Sequence, residues 1–225
     1  MIRDILKKNA FLRQAIVRFG LKRRIWMVQK FGLREIEAVT EELNRKGICS
    51  FADFGTLLGL TREGHLLKHD SDADIGIVLK DEGTVKEAGA AMESMGYRLV
   101  REFTVNDCVV EQSYMKHHLK IDFQIYTVEE KTGLMYCYLF YNPGKDPKAQ
   151  YWKSVIKKCP VVEKTEAVEI DSHRIFVPEK TEEILESKYG TNWKVPDKSW
   201  VYWEGPNTYP VEENGFLKSV ENGGL

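Results

Sequence analysis

The segment Phe54 to Ile77, FGTLLGLTREGHLLKHDSDADIGI, constrains this chain more than any other. Asp70, Asp72 and Asp74 are spaced i, i+2, i+4 and run into the apolar stretch Ile75-Gly76-Ile77-Val78-Leu79. In an extended strand, residues two apart share a face, so the three carboxylates project together. Three anions on one surface repel, and the surface holds only with a cation between them or a strong hydrogen-bond network. Hard divalent ions such as Mg²⁺ take oxygen ligands and bridge carboxylates to phosphates. The pattern therefore points to metal-dependent chemistry on a phosphate. An EF-hand calcium loop would use the same acids, but its sixth position needs Gly and its twelfth Glu. Counted from Asp70, those positions hold Ile75 and Asp81, so the calcium loop fails.

Upstream, Gly55-Thr56 opens a helix-like run and offers a backbone N–H and a hydroxyl at a positive dipole end, suited to phosphate oxygens. Arg62 either clamps a phosphate bidentately or pairs at the surface with Glu63. His65 and His69 flank the acids and could reach a phosphate. Downstream, Lys120-Ile-Asp-Phe-Gln-Ile-Tyr126 puts Lys120, Asp122 and Gln124 on one strand face and Ile121, Phe123 and Ile125 on the other. Either that polar face is solvated, or Asp122 completes the metal site or acts as general base. His117-His118 reads as a solvated hairpin turn. Trp193, Trp200, Tyr202, Trp203 and Tyr209 are packing residues or the wall of a quaternary-ammonium pocket.

The 225 residues, 43% hydrophobic and 11% aromatic, suffice for one large globular domain or a domain with an appendage. No apolar run approaches the ~20 residues of a membrane span. Lys7, Lys8, Arg13 and Arg18 interrupt any secretory core, and Cys49, Cys108, Cys137 and Cys159 lack metal or redox spacing. Free thiols in a reducing cytoplasm are expected. Residues 1–34 carry ten cations against Asp4 alone, a net +9 that leaves −10 for the remainder of a chain at −1. Ile2, Ile5, Leu6, Leu12, Ile16 and Phe19 recur near a helical period among these cations. Such a helix either lies on an anionic membrane or packs on the body or a second copy.

Residues 1–32 thus form a basic amphipathic helical arm and 33–225 the catalytic domain. Within the domain, helices are expected over Leu33–Arg45, Thr56–Leu60, Val85–Met95 and Thr181–Tyr189. Strands are expected over Ile48–Phe54, Ile75–Leu79, Tyr97–Phe103, Cys108–Met115, Leu119–Thr127 and Leu134–Tyr141, with a hairpin over Val168–Val177. Asn142–Lys148 reads as a loop, and the Trp- and Pro-rich tail from Asn192 receives no regular structure. This order fits an α+β domain with a mixed sheet and helices largely to one side.

Ala52-Asp-Phe-Gly-Thr-Leu-Leu-Gly59 followed by Asp72-Ala-Asp74-Ile-Gly76 resembles the LicD family, which includes fukutin and fukutin-related protein. Lys120-Ile-Asp122-Phe is similar to its later hydrophobic-Asp strand. Val177-Pro178 to Leu185, Tyr189-Gly190 and Trp193 to Pro196 are similar to its C-terminal pattern. The resemblance covers roughly residues 35–200, and the order of several motifs makes it far more specific than any single one. Many members carry Pro-Trp where this chain has Lys68-His69, which leaves the donor's head group open.

The resemblance implies a nucleotidyltransferase-like fold and transfer of a phospho-alcohol, such as phosphocholine or ribitol phosphate, from a CDP-alcohol to a glycan hydroxyl, with CMP leaving. Asp72, Asp74 and Asp122 would hold Mg²⁺, for which Mn²⁺ could substitute. Asp122 is the first choice for general base and Asp70 the second. Gly55, Thr56, Arg62, His69 and Trp193 would bind the donor, CDP-choline being one example. The acceptor would be a glycan or lipid-linked oligosaccharide, and nucleic acid is not an expected partner. The expected location is cytoplasmic, with a peripheral position at the inner membrane face and oligomer formation both open. True nucleotidyl transfer to a small phosphorylated or sugar substrate, and an inactive glycan-binding member, are the alternatives.

Overall fold

A computed structural model describes residues 10–146 and 149–219, with the backbone alone at Ala10, Phe11 and Arg13. Ile2, Ile5, Leu6, Arg3, Lys7 and Lys8 of the arm, and Pro147 and Lys148 of the loop, lie outside these residues. From Ala10 onward the arm and the expected second helix are one continuous helix, α1 (Ala10–Arg45). No proline interrupts it, and from Val28 onward Val28, Ile36, Val39 and Leu43 bury one stripe against the body. Gly32 permits a close approach there, since a Cβ would stand 2.7 Å from Leu66 Cδ1. Before Arg24 the helix projects from the body, with Val17 68% and Phe19 69% exposed, and Trp26 on its outer side is 53% exposed.

The remaining elements follow in chain order: β1 (Ser50–Ala52), α2 (Phe54–Glu63), β2 (Ala73–Val78), α3 (Thr84–Ser94), β3 (Arg98–Val105) and β4 (Cys108–Lys116). Next come β5 (Leu119–Glu129), β6 (Leu134–Tyr141), β7 (Tyr151–Pro160), β8 (Thr165–Ile170), β9 (His173–Pro178), α4 (Thr181–Tyr189) and β10 (Thr208–Ser219). Eight strands form one mixed sheet in the order β1-β2-β5-β4-β3-β10-β7-β6. Only the β2–β5 pairing in it is parallel. The end of β5 also pairs with β6, Thr127 to Tyr136 and Glu129 to Leu134, so the sheet curls until six strands close on themselves. The α+β reading with a mixed sheet holds. The β8–β9 ribbon is separate and sits against α1, where Glu37 accepts from the Arg174 N–H at 2.8 Å and contacts His173 Nδ1 at 2.7 Å.

The main core joins Val28, Ile36 and Val39 of α1 to Ile75, Ile121 and Phe123 of the sheet and Ile184 and Leu185 of α4. Phe103, Val105, Val110 and Phe140 form a smaller cluster beside the curl. The β4–β5 turn is as tight as expected, with His117 and His118 at φ 48° and 69°. All four cysteines are free thiols.

Two strands differ from the sequence reading. Residues 151–160 form β7, although Lys153, Lys157 and Lys158 blur the alternation in YWKSVIKKCP. The expected irregular tail contains β10, an inner strand between β3 and β7. Pro210 and the Glu212-Glu213-Asn214-Gly215 run argue against an inner strand. The structure accommodates them with a register shift between Pro210 and Asn214. At Gly215 a Cβ would fall 2.1 Å from the Phe140 ring, so the strand passes where only glycine fits.

Candidate active site

Strand register assembles the site. Asp74 of β2 pairs with Asp122 of β5, Asp122 with Ser113 of β4, and Ser113 with Arg101 of β3, giving one row across four strands. Ala73 pairs with Ile121, so Asp72 lies level with Lys120. The Lys120 Nζ forms an ion pair with Asp72 Oδ2 at 2.7 Å and donates to Asp122 Oδ2 at 2.8 Å. Arg101 donates to Ser113 Oγ at 3.1 Å and Glu111 Oε1 at 2.5 Å, and its Nη2 lies 3.7 Å from Asp122 Oδ2. Asp122 Oδ1 and Gln124 Oε1 are buried without a partner.

Asp74 is held from the α2 side. The Gly55 N–H donates to Asp74 Oδ2 at 3.1 Å, and the Asp74 N–H donates to Thr56 Oγ1 at 2.8 Å. Thr56 is 1% exposed, so its hydroxyl acts on the Asp74 backbone from beneath the surface. A Cβ on Gly55 would sit 3.0 Å from Asp70 Oδ2 and 3.4 Å from Asp74 Oδ2; glycine is what lets both carboxylates crowd this turn. The preceding Asp53 is an N-cap whose carboxylate does not cap. It turns inward, accepting from the Tyr126 hydroxyl at 2.7 Å and from the Lys188 ammonium. Lys188 also donates to Tyr126 Oη at 2.7 Å, closing a fully buried triad that ties α4 to the root of α2.

Burial, with crowding second, sets the electrostatics. Burial, then Asp72, Asp122, Asp70 and Asp53, push the Asp74 carboxyl well above the usual range. Burial raises Asp70 to about 6, with His69 opposing and Asp72 and Glu63 assisting. Burial likewise raises Glu111 to about 7 against the pull of Arg101. Burial and like charge thus disfavour the ionised carboxylates here, and a bound cation would favour them.

These groups floor a cleft of about 1620 Å³. Gly55, Arg62, Lys68, His69, Asp70, Asp72, Asp74 and Asp122 line it, with Arg101, Glu111 and Gln124, and Trp193, Trp200 and Tyr202 come from the tail. Arg62 donates to Glu63 Oε1 at 2.8 Å and to the Trp193 carbonyl at 3.3 Å, while its Nε is buried without a partner. His69 is exposed, 3.7 Å from Asp70 Oδ1. Trp193 is 6% exposed and its ring already carries the Lys194 ammonium at 5.1 Å. The cleft brings together Gly55, Arg62, His69, Asp70, Asp72, Asp74, Asp122 and Trp193 as expected; Thr56 supports it from beneath, while His65, with Nδ1 2.9 Å from the Leu66 carbonyl, and Trp203 and Tyr209 are not part of its lining. His117 and His118 stay at their turn.

Among the described residues, no three His, Cys, Asp or Glu side chains already form a metal cage. Lys120 stands between Asp72 and Asp122, as the distances above show. The residues nevertheless fit a hard divalent ion: the donors are carboxylate oxygens, one of them, Asp122 Oδ1, is buried without a partner, and Asp74 is under repulsion from Asp72, Asp122 and Asp70 that a cation would relieve.

Sequence reasoning missed Arg101, Glu111, the bridging geometry of Lys120 and the Asp53–Tyr126–Lys188 triad. Strand alternation already put Lys120 beside Asp122. Arg101 and Glu111 depend on β3–β4–β5 register, and Lys188 lies on a helix 135 residues from Asp53.

The sequence profile of the LicD/FKTN/FKRP nucleotidyltransferase domain matches residues 47–180, more than half of the chain. The chain belongs to the LicD family. Among its curated relatives are two proteins named ribitol-5-phosphate transferase FKTN, from Macaca fascicularis and Homo sapiens. Each is 28% identical over 183 residues, 80% of this chain and 36% of the relative. The chain therefore spans only about a third of those relatives' length. A crystal structure of ANT(2")-Ia in complex with adenylyl-2"-tobramycin aligns at 12% identity and a TM-score of 0.44, over 76% of this chain and 82% of that one.

Proposed function

We propose that this LicD-family chain transfers a phospho-alcohol from a CDP-alcohol to a glycan hydroxyl and releases CMP. One observation carries the reading: Asp122 Oδ1, an unpartnered buried acceptor, and Arg62 Nε, an unpartnered buried donor, belong to residues of the same cleft. The first suits a cation or an acidic hydroxyl, the second a phosphate oxygen. In the reaction the acceptor hydroxyl oxygen bonds to the phosphorus bearing the alcohol. The bond from that phosphorus to the bridging diphosphate oxygen breaks, and CMP leaves with the electron pair. The hydroxyl proton passes to Asp122 or, as second candidate, to Asp70, whose raised affinity for a proton suits a base near neutral pH.

Asp72, Asp74 and Asp122 would hold Mg²⁺, which when bound would neutralise charge on the donor phosphates. Arg62 binds a phosphate oxygen and His69 reaches the exposed side. Gly55 and Thr56 act chiefly by fixing Asp74. Trp193 walls the cleft, but Lys194 lies over its ring and Lys157 is 5.9 Å from the Trp200 ring, which disfavours a quaternary ammonium there. Asn192, Asp197 and Lys198, also lining the cleft, suit a hydroxyl-rich alcohol, in line with the name of the curated relatives. Ribitol phosphate is accordingly preferred to phosphocholine. The projecting part of α1 supports a lipid-linked acceptor: its root binds the loop that leads to Asp70, Gln29 Nε2 donating to the Leu67 carbonyl at 3.0 Å.

The test is a panel of CDP-ribitol, CDP-glycerol and CDP-choline, assayed for binding and CMP release with and without Mg²⁺. Mg²⁺-dependent CMP release from a polyol donor supports the reading. A second reading, nucleotidyl transfer, is favoured by the description of the matching domain, and pyrophosphate release with a nucleotidylated product would establish it.

A further inference from the structure

We propose that Lys120 is a built-in cation of this centre, filling the place between Asp72 and Asp122 that a second divalent ion would take, so that the chain binds a single ion. The proposal rests on the metal reading above. In two-metal sites, shared carboxylates clamp ions about 4 Å apart. Here the Lys120 ammonium already contacts Asp72 Oδ2 at 2.7 Å and Asp122 Oδ2 at 2.8 Å. The Arg101 guanidinium, 3.7 Å from the same Asp122 oxygen, adds a second positive charge on that flank. A divalent ion placed there would meet both cations and find those two oxygens taken.

The arrangement is fixed by backbone register rather than by a chance surface contact. Lys120 and Asp122 share a face of β5, and Asp72 precedes the β2 residue paired with Ile121. Only 18% of the Lys120 side chain is exposed, and Asp122 is 8% exposed. What remains for a metal is the opposite side: Asp122 Oδ1, buried and unpartnered, with Asp74 across the parallel pair. Lys120 therefore acts as a positioning residue, holding Asp72 and Asp122 together while leaving one oxygen of Asp122 open.

Mn²⁺ titration of the full chain without donor, with free Mn²⁺ followed by electron paramagnetic resonance, tests this. The wild type is expected to bind one Mn²⁺ per chain, and Lys120→Met, which keeps the stem and removes the charge, to bind two. Lys120→Gln serves as a second variant, and circular dichroism checks that each is folded. Two ions in the wild type, or one in both folded variants, overturns the proposal. If neither variant folds, the wild-type count alone decides it. Absence of any Mn²⁺ binding by the wild type is a separate result, and it removes the metal reading itself.

Discussion

Asp74 and Asp122 are register partners on the two parallel strands of an otherwise antiparallel sheet, so the fold itself holds their carboxylates at one level. Neither strand can slip without turning its whole apolar set outward. Asp74→Asn and Asp122→Asn should each reduce turnover at least ~100-fold, the scale of a lost general base or metal ligand. In metal-free buffer, thermal melting of Asp74→Asn should stay level or rise, because the substitution removes a carboxylate from a repelling group. Activity near wild type in either variant would remove these residues from the chemistry.

The Asp53–Tyr126–Lys188 triad predicts a different kind of loss. Lys188 and Asp53 are fully buried, so removing one partner leaves an uncompensated charge. Lys188→Met should cost about 3–5 kcal/mol, the range for breaking a buried pair. Lys188→Met with Asp53→Asn should recover much of it. Urea unfolding of the two singles and the double measures this, and strictly additive losses would show the pair to be uncoupled.

Metal-free stability should depend on pH. Asp70 is raised from 3.8 to about 6 and Glu111 from 4.5 to about 7, so the folded chain keeps protons that the unfolded chain releases. Both contributions are fully present below the unfolded values and are lost as pH rises through the folded ones. Melting in EDTA should therefore fall between about pH 4 and pH 7 as these two groups ionise. Glu111→Gln should flatten the upper part of that fall. A melting temperature that rises across the window in the wild type would contradict the burial of these two carboxyls.

The projecting part of α1 predicts salt-sensitive binding to anionic lipid. Ile16, Phe19 and Trp26 are exposed, among Arg18, Lys22 and Arg23. Each such cation contributes on the order of 1 kcal/mol near an anionic surface, over about a Debye length. Vesicle sedimentation should show binding at low salt that is lost at high salt and in Phe19→Ser/Trp26→Ser. Equal partitioning of variant and wild type, or no binding at low salt, would make this face a packing or oligomer surface.

Much of this was legible in the sequence because it is local. The i, i+2, i+4 acids, the glycine turn and the alternation around Asp122 each need only a few neighbouring residues, and the ends of β6 and α4 were read to the residue. β10 was not legible, because Pro210 and a bulge mask an inner strand whose place is set by β3 and β7. The join of arm and second helix was missed because the apolar stripe changes face where the body begins. Lys188 and Arg101 reach the site only through tertiary packing and register, which no window along the chain contains.

The central claim is that phosphorus is transferred with its alcohol. The most direct measurement uses a CDP-alcohol labelled with ³²P at the phosphate next to the alcohol, incubated with Mg²⁺ and candidate glycan acceptors. The account predicts that the label enters the glycan while the released CMP is unlabelled. Label recovered in a released pyrophosphate or phosphate ester, with the cytidylyl group on the acceptor, would contradict it.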